Sequence, residues 1–195
     1  MKMTDFRSER AIGGRVRSAR KRLGMRVSAL AEAVGLSPAV IENIEGGRKP
    51  DLNISEVLNL ALALGVPPVF LLAPIGAPNK ALDLPNLNAT IAAMTVLEFD
   101  AWLSNVPSGA YRPVSMTERN DRLELQILRE HDAEKRELQR LAVQAEQEVL
   151  ALPATPAAAA LLETTHDRIA ATKERIERLE LILRTAGWSI DSPTG

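Results

Sequence analysis

Cysteine is absent from the 195 residues of this chain. Disulfides, thiolate metal sites and cysteine nucleophiles are therefore excluded, and a reducing compartment is the expected setting. Aromatic side chains are nearly as scarce, with three Phe, two Trp and one Tyr, and only two His are present. Ala, Leu, Glu and Arg dominate instead, a mixture that favours helices over a β-sandwich or barrel. Long unbroken apolar runs are missing too. Residues Val57 to Asn79 carry no charge, but Gly65, Pro67, Pro68, Pro74 and Pro78 interrupt them. Two short core helices broken at Gly65–Pro68 are expected there, not a membrane span. The opening stretch MKMTDFRSERAIGG lacks the roughly 7 to 15 apolar residues of a signal-peptide core, so a cytoplasmic location is expected.

Net charge is also nearly absent, at -1, but the balance is uneven along the chain. Residues 1–50 hold 11 Lys and Arg against 5 Asp and Glu, residues 51–115 hold 2 against 5, and residues 116–195 hold 11 against 15. A basic head and an acidic remainder point to a polyanion-binding end. The linker, aromatic segment and tail should then face away from that polyanion.

Apolar spacing gives five short helices between Glu9 and Leu72. Ile12, Val16, Ala19 and Leu23 mark the first, closed by Gly24; Leu30, Ala31 and Val34 mark the second, Ser28 to Val34, closed by Gly35. Ser37 reads as an N-cap with Pro38 at the first helical position of a third, which runs through Ile41 and Ile44 to Gly46-Gly47. Asn53 with Glu56 is a capping-box start for a fourth, Ile54 to Leu64, and Pro67 opens a fifth. Residues 73–94, with three prolines, read as a linker. Thr95 with Glu98 opens a short helix within 95–114, a segment where Phe99, Trp102 and Tyr111 gather half the aromatics; packing against the long helices that follow is the expected use.

Ser115 with Glu118 begins a long helix to about Ala151, and Thr155-Pro156 begins another, ending at Ala186-Gly187. Leu128, His131, Lys135, Leu138, Ala142, Ala145, Val149 and Leu152 alternate spacings of three and four in the first. Leu162, His166, Ile169, Lys173, Ile176, Leu179, Leu183 and Ala186 do so in the second. Residues 115–190 are thus an antiparallel hairpin joined by an LPATP turn. Two helices bury little by themselves, so these seams and the flanking Leu125, Ile127, Leu141 and Ile182 are expected to face a second copy in a homodimer.

Seven basic residues and no acidic one lie between Arg10 and Arg26, a density suited to phosphate neutralisation. A helix, a tight Gly-Leu-Ser turn and a second helix follow. The stretch RVRSARKRLGMRVSALAEAVGLSPAVIENIEGGRKP, with VLNLALALGVPPVFLL after it, resembles the helix-turn-helix of the Cro and CI repressor family, also called the XRE family, over about residues 15–72. Leu30-Ala31, Val34-Gly35, Ser37, Ile41, Ile44-Glu45 and Gly47 carry the likeness. It implies an all-α fold: a five-helix lambda-repressor-like DNA-binding domain over 9–72, followed by the linker, the short helix and the hairpin.

The resemblance further implies that Ser37 to Glu45 enters the major groove, with Ser37, Pro38, Ala39, Glu42 and Asn43 towards the bases. Asn43 would pair with adenine, Glu42 would accept from a cytosine amine, and Ala39 would touch a thymine methyl. Phosphate contacts are implied for Arg15, Arg17, Arg20, Arg26, Arg48 and Lys49, with Arg20 also bracing Glu45. Two departures stand out: Arg26 and Val27 occupy places where many members have Ser or Thr then Gln, and the loop Pro50 to Ile54 is about two residues longer. Fewer direct base contacts and more shape readout are expected.

Catalytic motifs are not in view. The sequence has no HExxH, no GxxxxGK[ST] loop and no nucleophile elbow. A hairpin closing near residue 154 would bring His131 and His166 almost level, but polar seam positions more often set register than hold a metal. No cofactor or metal is expected, and no enzymatic activity. The expected function is a sequence-specific regulator of bacterial or phage repressor type, which binds double-stranded DNA as a homodimer with recognition helices roughly 34 Å apart. The alternative is a DNA-binding adaptor or antitoxin-like protein whose hairpin binds another protein.

Overall fold

The computed structural model describes residues 7–49, 51–107, 109–151 and 155–190. Pro50, Leu152 and the Leu152 to Ala154 part of the expected turn lie outside the described residues. The chain is all-helical in its described part, apart from an isolated antiparallel bridge between Ala81 and Thr95. No single helix there is long and apolar enough to cross a membrane. Contacts divide it into two units, one up to Arg112 and one from Pro113.

The first unit begins with α1 (Arg7–Arg22), α2 (Val27–Ala33), α3 (Pro38–Glu45), α4 (Ile54–Ala63) and α5 (Val69–Leu72). Local chemistry sets these boundaries. Ser37 Oγ accepts from the Val40 N–H at 3.4 Å with Pro38 behind it, and Asn53 and Glu56 cap α4 reciprocally at 2.9 and 3.1 Å. Each such cap satisfies orphan N–H groups at a helix start, worth about 1 kcal/mol. Ile12, Val16, Leu30, Ile41, Ile44, Leu60 and Leu71 close an aliphatic core, each contributing about 1.5 to 3 kcal/mol of burial. Gly13 makes the crossing of α1 and α3 possible, because a Cβ there would fall 1.9 Å from the Ile44 carbonyl oxygen.

Residues 73–94 are not the free linker expected. Ala73 and Met94 are buried together with Val96 and Phe99, and Val69, Leu72, Ile75, Leu82, Leu84, Ile91, Trp102 and Tyr111 pack around them. The strap carries one helical turn, α6 (Ala89–Ala92), and joins α7 (Val96–Ser104) through Val96 N–H to Lys80 O at 2.9 Å and Leu97 N–H to Pro78 O at 3.0 Å. The aromatics therefore cover the end of α5 and the strap; the physical reason is that α5 is one turn long and leaves Leu72 and Ala73 in need of cover. The Thr95–Glu98 capping box of α7 forms as the spacing suggests.

The second unit is α8 (Met116–Ala151) and α9 (Pro156–Thr185), packed against each other. Its seam differs from the expectation at several places. Val149 is 63% exposed, and Ala142, His166 and Lys173 are exposed as well. Leu141, expected to face a second copy, is only 1% exposed and lies inside the hairpin. Thr165 and Thr172 are buried in α9 with Ile176, Leu179 and Leu183, while Leu128, Leu138, Leu162 and Ile169 are half-buried and Ala145 is buried. Glu134 with Arg175 at 3.1 Å, His131 with Glu180 at 3.3 Å and Glu124 with Trp188 at 2.8 Å fix the register. His166 stands beside Ala145 and Glu146, so the two histidines are about 20 Å apart along the hairpin, at 1.5 Å per residue. They form no pair.

Candidate nucleic-acid interface

α2 and α3 turn through 108° about Gly35, whose φ of +67° is the left-handed value that glycine adopts without strain. Ile41 and Ile44 point inward and are fully buried. Because a helix repeats every 3.6 residues, this leaves Ser37, Pro38, Ala39, Glu42 and Asn43 together on the outward face, and all five are exposed. These are the residues the sequence assigned to base reading.

The cations divide into two kinds. On α1, Arg10, Arg17 and Lys21 lie seven and four residues apart and are exposed, which places them on one outward stripe. Arg26 and Arg48 are exposed too. Arg26 occupies the N-cap position of α2, where no side chain caps the helix. Arg48 donates through Nε to Asn43 Oδ1 at 3.0 Å and through Nη2 to Glu42 O at 3.3 Å, which ties the loop after α3 to the reading face.

Three cations assigned to phosphate are instead spent inside the protein. Arg20 is 9% exposed and grips both carboxylate oxygens of Glu45, at 2.6 and 2.8 Å, while also donating to Met25 O at 2.7 Å. The hydrogen bonds that Arg20 donates to Glu45 push its guanidinium above its already high range, outweighing burial. It braces α3 and is tied up within the protein. Arg15 donates to Leu71 O at 2.6 Å, Leu72 O at 3.2 Å and the Asp83 carboxylate at 2.8 and 3.0 Å. It is a clamp that holds the strap to α1 and α5, and it satisfies carbonyls that the end of α5 leaves open. Lys49 is half-buried, with Glu56 at 2.8 Å and the Asp51 carbonyl as partners. Burial pushes Glu56 up, but Lys49 and the Asn53 N–H outweigh it and hold the carboxyl below its usual range.

The partners of Arg15 and Lys49, Asp83 and Glu56, are recognisable only once the strap and α4 fold back. Among the described residues no group of three His, Asp or Glu could hold a metal ion.

The sequence matches the helix-turn-helix domain family over residues 11–71. No curated protein sequence matches it. Among solved structures, it is similar to the restriction-modification controller protein C.AhdI from Aeromonas hydrophila, at 28% identity over 32% of this chain and 94% of that one, with a TM-score of 0.31. The stretch of this chain from 11 to 71 is a helix-turn-helix domain.

Proposed function

We propose that the chain is a non-catalytic transcriptional repressor of bacterial or phage type, active in the cytoplasm, which binds operator DNA as a homodimer. The observation that carries this reading is the outward face of α3, polar and small, flanked by the exposed cations Arg17 and Arg26. Phosphate neutralisation by these supplies affinity, and α3 supplies sequence choice. The homodimer rests on the hairpin. Leu181 and Ile182, adjacent in α9, are 67% and 47% exposed, an apolar face that a second copy would cover.

Electrophoretic shift with duplex DNA selected by the full chain tests the first part. Specific retardation that weakens at least tenfold in Arg17→Ala/Arg26→Ala is expected, and equal retardation of any duplex would sink it. Sedimentation tests the second: Leu181→Glu/Ile182→Glu should turn a dimer into a monomer without loss of helicity. A wild-type monomer would favour the antitoxin-like or adaptor reading, with another protein on that apolar face.

A further inference from the structure

We propose that Arg48 sets the base that Asn43 reads, by holding the amide oxygen so that Asn43 presents donors only and selects guanine over adenine. The proposal rests on the DNA-binding reading of α3.

Three observations carry it. First, Arg48 Nε lies 3.0 Å from Asn43 Oδ1. A guanidinium has five donors and no acceptor, so it can face only the oxygen of an amide, and the orientation of Asn43 is thereby fixed. Its Nδ2, with two N–H groups, is the end turned away from the arginine. Second, the guanidinium is itself anchored, through Nη2 to Glu42 O at 3.3 Å, against the negative end of α3. Third, the chain makes room for it. Gly46 has a φ of -86°, which any residue adopts, yet a Cβ there would meet Arg48 Nη1 at 2.5 Å and Cζ at 3.0 Å. Its neighbour Gly47 is needed for the turn, with φ +64°; a Cβ at Gly46 would push the guanidinium aside and would also stand 3.0 Å from Glu42 O.

Adenine shows the major groove one acceptor, N7, and one donor, its N6 amino group, whereas guanine shows two acceptors, N7 and O6. Bidentate pairing with adenine requires the asparagine oxygen to take the N6 proton. Arg48 already occupies one lone pair of that oxygen and its positive charge disfavours a second donor there, so Nδ2, a donor only, is left to face the acceptors of guanine. The adenine contact implied by the family pattern is replaced by this one.

The test is selection of bound duplexes from a random pool by the full chain, in wild-type form and in four variants. Asn43→Ala identifies the base pair concerned, which should be G in the wild-type sites. Arg48→Ala frees the amide and should shift that position towards A by at least about fivefold. Arg48→Lys keeps the charge but lacks the fork, and Gly46→Ala displaces the guanidinium without removing it. Both should make the same shift while leaving the salt dependence of binding as in the wild type. Adenine at that position in the wild-type sites, or an Arg48→Ala protein weakened equally on all sequences with unchanged base choice, would overturn the proposal and leave Arg48 a phosphate contact. A wild-type protein that enriches no sequence would overturn the DNA-binding reading beneath it.

Discussion

The two units solve the problem of burial in opposite ways. The first stacks short helices around an aliphatic core, and its buried ion pair, Arg20 with Glu45, is completed by the Met25 carbonyl. The hairpin, with 36 and 30 residues in its helices, sets His131, Thr165 and Thr172 into its seam and leaves Leu150 and Leu181 outside. A core that closes on itself fixes a fold. A seam diluted with polar groups fixes a register and keeps apolar surface for something else. The first unit is thus held by aliphatic packing, and the hairpin by an apolar seam in which polar groups are paired.

That contrast can be broken most sharply at adjacent glycines. Alanine in a helix normally gains about 1 kcal/mol over glycine, and Gly14→Ala, with nothing within 4 Å of the new Cβ, should gain up to that. Gly13→Ala meets the Ile44 carbonyl at 1.9 Å and should cost roughly 3 kcal/mol or more through overpacking. Melting followed by the fluorescence of Trp102, in a Trp188→Phe background, reports the first unit. Equal behaviour of the two variants would mean that α1 and α3 do not cross as closely as described.

Next in size is the division of labour among arginines. Arg15→Ala should release the strap and lower the stability of the first unit by about 1 to 3 kcal/mol, the scale of hydrogen bonds from a charged group. It should leave the slope of log affinity against log salt unchanged. Arg17→Ala should do the reverse, with little effect on melting and a slope reduced by about one. A reduced slope for Arg15→Ala would return that residue to the phosphate contacts.

Thr172→Val makes the hairpin seam resemble the core of the first unit. Thr172 is 1% exposed and accepts from Arg175 Nη2 at 3.2 Å, but Arg175 also has Glu134. The added methyl should raise hairpin stability by about 0.5 to 1 kcal/mol, read from Trp188 fluorescence. A loss of more than that would show the hydroxyl to be indispensable.

Acid has the smallest effect and touches both units. The Glu98 carboxyl is lowered by hydrogen bonds from Thr95, Glu137 by Arg140, and Glu148 by Gln144 and Thr165; Glu56 is lowered as described. A carboxyl whose folded value lies below its ordinary 4.5 stabilises the protein fully above that pH and ceases to do so as pH falls through the lower folded value. Melting temperatures of both units should therefore be level just above pH 4.5 with respect to these groups and decline below it. Loss of stability on the alkaline side instead would contradict the assignment.

Helix starts were legible because they are local. Ser37-Pro38, Asn53 with Glu56, Thr95 with Glu98 and Thr155-Pro156 each satisfy N–H groups within four residues of themselves, and each forms in the fold. The recognition face was legible for a related reason: with Ile41 and Ile44 inward, the helical repeat leaves Glu42 and Asn43 no other direction. The hairpin register was not, since Thr165 and Thr172 look polar in a list of spacings. In a seam, threonine offers a methyl and a small volume, whereas His166 and Lys173 gain more from water.

The sequence by itself therefore determined the helices, their caps, the helix-turn-helix and the side of α3 that faces outward, all consequences of interactions spanning a few residues. Tertiary structure alone decided which cations are tied up within the protein. Arg15 and Arg17 are two positions apart on one helix, but Asp83, 68 residues from Arg15 in the chain, takes the first and leaves the second. Charge is a property of the residue; availability depends on what the fold brings within 3 Å of it.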